Sequence, residues 1–92
     1  IIDLCSRVLY IKQQYRKGVI HLSYLDSLSD TLKATSFDEY LFQDIIAKKR
    51  SLKFVAHAMA LMEETSALTE GFMPVRARKG KAVEKMKELL TP

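Results

Sequence analysis

A single cysteine, Cys5, stands in the 92 residues, so no disulfide can close within the chain. Small domains built for oxidising compartments more often carry several paired cysteines, and an intracellular, cytoplasmic setting is expected. Glycine is equally sparse: Gly18, Gly71 and Gly80 are isolated from one another. They form neither a phosphate-cradling loop nor a dinucleotide fingerprint, both of which need clustered glycines at fixed spacing. Asparagine is absent and glutamine scarce, which thins out the side chains that pair bidentately with adenine. No apolar run reaches about 18 residues, so integral membrane association is not expected. The opening residues lack the order of a secretory signal. The sequence begins at Ile1 without methionine, which suggests a piece of a longer protein.

What is present is 48% apolar and 28% charged, the composition of one small folded domain rather than a disordered segment or a multidomain enzyme. A domain of this length buries only roughly 60 to 65% of the surface its unfolded chain exposes. Its core is thin, and self-association would strengthen it. The formal charge of +4 is uneven: residues 1 to 35 hold five basic and three acidic side chains, residues 36 to 70 four and six, and residues 71 to 92 six and two. The last block marks where an anionic partner would touch.

Apolar residues recur in steps of three and four through Leu4, Val8, Ile11 and Tyr15, predicting a helix over residues 1–17. The spacing continues through Gly18 to Leu25 and Leu32. One long helix and two helices, 1–17 and 19–34, compete, because one glycine costs a helix only about 1 kcal/mol. Ser36 and Glu39 form a capping box, and a helix is predicted over 37–68. Its seam reads Leu41, Ile45, Lys48, Leu52, Val55, Met59 and Met62, a heptad-like, coiled-coil pattern suited to packing against another long helix. Between Leu52 and Met62 the apolar arc is wide, so this helix is expected at the centre of the domain. Gly71 and Pro74 supply a stop, with Phe72 and Met73 folding back over the core. Residues 71–80 are a basic connector and 80–90 a short final helix. No strand pair is expected. The fold class predicted is all-α, a long antiparallel helical hairpin or a small bundle of three to four helices, with dimerisation as a way to complete it.

Catalytic constellations are missing. His21 and His57 have no second ligand at a neighbouring helical step, and a structural zinc site needs about four. Cys5 falls on the apolar face of the first helix and reads as a small core residue. Asp38 and Glu39 suit a helix start, and Asp44 lies one turn from Lys48. No catalytic, cofactor-binding or metal-binding residue is assigned, no cofactor is expected, and the chain is expected not to be an enzyme.

Two readings follow. In the first, the chain is a noncatalytic protein-binding or regulatory domain acting in a homodimer or heteromeric complex. Its interface residues would be Leu52, Val55, Met59 and Met62 with Phe42 and Phe72. In the second, it is a nucleic-acid-associated helical protein contacting the phosphate backbone through two basic blocks. Lys48, Lys49, Arg50 and Lys53 form one, and Arg76, Arg78, Lys79 and Lys81 the other. That second reading requires the two blocks to share a face.

Overall fold

The first helix, α1 (Ile2–Lys17), turns Leu4, Cys5, Val8, Ile11 and Gln14 inward, as the three-and-four spacing dictates. It ends at Gly18, whose φ of 83° is left-handed and open to glycine without the Cβ clash other residues meet. The chain therefore breaks here, and the two-helix alternative holds. In this computed structural model, which describes residues 1–92, the chain then makes a two-residue strand, β1 (Ile20–His21). Helix α2 (Leu22–Ala34) follows at once and buries Leu25, Leu28, Ser29 and Leu32.

Helix α3 runs only from Glu39 to Lys48. Its N-cap is Asp38, whose Oδ1 accepts from the N–H groups of Tyr40 and Leu41 at 3.0 and 3.1 Å. Ser36 does not play that part, because Phe37 leaves the helix path to pack its ring against Phe42, centroids 5.9 Å apart. The expected helix over 37–68 is thus two helices, α3 and α4 (Leu52–Thr65). Between them Arg50 adopts a left-handed φ of 53°. Such a conformation costs a non-glycine residue about 1 to 2 kcal/mol. Around it, the Ile46 carbonyl accepts from both Lys49 and Ser51. Lys12 of α1 donates to the buried Ser51 hydroxyl at 3.1 Å, and that hydroxyl donates to the Lys49 carbonyl at 3.0 Å. The break is held by contacts from another helix.

Helix α4 is buried without interruption from Val55 to Met62 and packs against α1, α2, α3 and α5 (Lys81–Glu88). Its central position is the one expected. Ala58 and Ala60 are fully buried, small enough to let neighbours approach. After Thr65 the chain turns through Ala67, another left-handed residue, and inserts Leu68 into the core. A single 3-10 turn (Glu70–Phe72) precedes the connector. Met73 folds back over the core as expected, whereas Phe72 stays 46% exposed.

After α5, Leu90–Thr91 form β2, parallel to β1, with Ile20 opposite Leu90. The Ile20 N–H donates to the Leu89 carbonyl at 2.9 Å. This strand pair was not expected, since two residues are too few to show alternation. The result is an all-α domain of five α-helices with extents of 32 × 25 × 22 Å, a rounded bundle rather than an elongated hairpin. No helix is long and apolar enough to cross a membrane.

Candidate functional site

Residues 76–79 of the basic connector carry no regular secondary structure, and over residues 75–78 half-buried and exposed side chains alternate. Val75 and Ala77 pack against the core, which sends Arg76 and Arg78 outward together. Two hydrogen bonds tie the segment down. Gln43 of α3 donates from Nε2 to the Pro74 carbonyl at 2.8 Å, and the Arg78 N–H donates to the Ala56 carbonyl of α4 at 3.0 Å.

Between the connector and the first turns of α4 lies a groove of about 460 Å³. Leu52, Ala56 and Val75 are its apolar lining, and Lys53, Arg76, Arg78 and Gln43 its polar one. The groove therefore joins one residue of the first basic block to two of the second. No carboxylate lines it. The ion pairs of the chain involve Arg7, Lys79 and Lys87, so Lys53, Arg76 and Arg78 keep their charges uncompensated by a bonded partner. Arg76 also borders a second depression lined by Glu63, Glu70 and Lys79 and marks the edge of the purely basic zone. The groove is thus open, walled by cations over an apolar floor, and positive in its local potential.

The remaining basic residues are exposed but do not line the groove. Lys48, Lys49 and Arg50 occupy the end of α3 and the turn before α4, Lys79 approaches Glu63 at 3.9 Å, and Lys81 opens α5. Asp44 and Lys48 make no ion pair.

His57 lies one turn along α4 from Lys53 and is 7% exposed. Burial, and then the positive charges of Arg78 and Lys53, hold its pKa below the ordinary histidine value. Burial likewise pushes the Cys5 thiol up, which keeps it protonated and unreactive. No group of three or more His, Cys, Asp or Glu side chains is placed to hold a metal ion.

The residues expected at an apolar interface are mostly elsewhere. Phe42, Val55, Met59 and Met62 are fully buried inside this one chain, because α3, α1, α2 and α5 already cover the seam. They are core, and that expectation is corrected. Leu52 remains 40% exposed as part of the groove floor. Phe72 borders a different depression of about 340 Å³ beside Leu32, Phe37 and Glu39. Gln43, Ala56 and Val75 were not singled out from the sequence. The alternation Val75, Arg76, Ala77, Arg78 is the signal that could have found the connector's geometry. Compared with protein-family models, curated proteins and solved structures, the chain finds no match in any of the three.

Proposed function

We propose that this domain is a noncatalytic binding module that holds the phosphate backbone of a nucleic acid against α4 and the basic connector. The observation that carries the reading is the convergence of Lys53, Arg76 and Arg78 on one groove without a carboxylate; the two basic blocks meet there through these three residues only, the other five lying outside it. A domain with a sequence pI near 9.3 attracts such a polyanion at long range, and the groove supplies the contact. With no base-reading asparagine and Gln43 occupied by Pro74, the contact would be to backbone rather than sequence. The test is fluorescence anisotropy of a labelled oligonucleotide across a salt series. Binding that weakens steeply with salt, and loses affinity when Lys53, Arg76 and Arg78 are neutralised, supports the reading. Binding unaffected by those changes rejects it.

A second reading keeps a protein partner, a further copy of the chain included. It is favoured by apolar side chains left outside the core: Tyr40 at 80% exposure and Phe72 at 46%. Here the interface lies around α3 and the 3-10 turn rather than on the Val55–Met62 seam. Sedimentation analysis of the wild type and of Phe72→Asp decides it; a monomer in both removes the homodimer. Either way a reduced, buried Cys5 suits a reducing intracellular compartment.

A further inference from the structure

Three lysines reach the α4 segment from elsewhere in the chain. Lys79 and Lys87 meet carboxylates there, Glu63 at 3.9 Å and Glu64 at 2.9 Å. Lys12, half-buried on α1, meets none. Its Nζ donates to the Ser51 hydroxyl at 3.1 Å and lies 6.0 Å from the centroid of the Phe54 ring, close enough for a cation–π attraction. An ammonium carries three donors. Ser51 takes one, and Lys12 joins no ion pair. The fold thus holds a cation in place without an anion to balance it.

Its position relates it to the groove. Ser51 and Phe54, three residues apart, share one side of the start of α4, whereas Leu52, Lys53 and Ala56 turn to the other side and line the groove. Lys12 and the groove therefore flank the N-terminal end of α4, separated by a helix width of about 10 to 12 Å. The turn that wraps this end carries Lys49 and Arg50, both exposed, and the Ser51 hydroxyl that holds Lys12 also donates to the Lys49 carbonyl at 3.0 Å. Neither cation is in an ion pair, and Asp44, the acid nearest to them in sequence, pairs with none. Unneutralised positive charge from three elements, the connector, the turn and α1, surrounds the start of α4. Successive phosphates of one strand advance by about 3.4 Å along a duplex, so about three steps cover the helix width.

Resting on the groove reading above, we propose that Lys12 is a further phosphate contact, at the far end of a path on which one nucleic-acid strand leaves the groove and crosses the turn at Lys49 and Arg50 to reach α1. Ser51 already restricts the lysine, so little side-chain freedom is lost when a phosphate arrives. A strand that only fills the groove does not touch Lys12; a longer one does.

The experiment measures the salt slope of anisotropy binding for two single-stranded DNAs. One of about four nucleotides fills the groove, and one of about ten has the length to round the turn. Lys12→Gln removes the charge and keeps a donor for Ser51, while Lys12→Arg keeps the charge. With the long DNA, Lys12→Gln should lower the slope by about 0.7, the value of one single-strand phosphate contact, and Lys12→Arg should restore it. With the short DNA neither change should alter the slope. An unchanged slope with both DNAs, while neutralising Lys53, Arg76 and Arg78 still lowers it, overturns the crossing and leaves the groove standing. An equal fall with both lengths makes Lys12 a support of the fold and overturns its contact. Poly-glutamate that binds as tightly, with the same dependence on Lys12, assigns the path to an acidic peptide and overturns the nucleic acid. Absence of binding sensitive to Lys53, Arg76 and Arg78 overturns groove and crossing together. If Lys12→Gln fails to fold, the wild type decides: the NMR signal of the Lys12 Cε methylene must move with the long DNA and stay in place with the short one, and any other pattern overturns the contact.

Discussion

The N–H of Arg78 meets the carbonyl of Ala56 at 3.0 Å, a bond between main-chain atoms that leaves the guanidinium free. Arg78→Ala should therefore keep the connector in place while removing one cation from the groove. Lys53→Ala, Arg76→Ala and Arg78→Ala should each lower the salt slope of nucleic-acid binding by about 1, and the triple variant by about 3. Circular dichroism should find all four folded. A triple variant with the wild-type slope would take the groove out of the function.

Acid should weaken the fold through His57. Its pKa is lowered in the folded chain, so the unfolded chain takes up a proton near pH 6.5 that the folded one refuses until lower pH. The unfolded state then binds more protons, and stability falls as pH drops from about 6.5 toward the folded-state pKa. Urea midpoints taken at about pH 7.5 and about pH 5.5 should differ in the wild type, and by less in His57→Gln. Equal midpoints in the wild type would contradict the effect.

Two glycines make a matched pair. An added Cβ meets nothing within 4 Å at Gly18 or Gly71, but Gly18 alone of these two has a positive φ, at +83°. Gly18→Ala should cost about 1 kcal/mol from backbone strain alone. Gly71→Ala should be neutral or stabilise by up to about 1 kcal/mol, since it only restricts the unfolded chain. Denaturant midpoints at constant slope measure both.

Met59 and Leu52 separate core from surface. Met59 is fully enclosed, and Met59→Ala should lose about 2 to 5 kcal/mol of stability. Leu52→Ala, at a half-exposed position, should lose less than about 1 kcal/mol. Thermal unfolding checks the ranking. A Met59 variant as stable as the wild type would mean the seam is not the core.

Cys5 should report on opening of the fold. Its thiol is buried and kept protonated by that burial, so a disulfide reagent must await unfolding. Labelling should be slow in buffer and accelerate in step with global unfolding in urea. Fast labelling in buffer would place the cysteine at the surface.

The helices were legible because a three-and-four spacing of apolar residues survives any tertiary context: Leu4, Val8 and Ile11 are buried as that spacing requires. The break before α4 was not. An apolar period continues across Lys49, Arg50 and Ser51 whether or not the axis bends, and no glycine marks the left-handed residue. What holds the bend is Lys12 reaching Ser51, 39 positions away. The same limit applied to the seam. Val55, Met59 and Met62 read equally well as core or interface until the helices covering them are known. The basic residues of the groove were visible as types, but their meeting depends on Gln43 bonding Pro74 and Arg78 bonding Ala56. Composition carries neither bond.

The pairing of Ile20 with Leu90 also governs when the domain can finish folding. The junction of α1 and α2 is clasped to a segment seventy residues downstream, so a growing chain has no partner for β1 until that segment leaves the ribosome. Helices α1 to α4 can gather during synthesis, since their contacts close sooner. During synthesis the clasp therefore forms only after α1 to α4 have been made, and until then the edge of β1 lacks this partner.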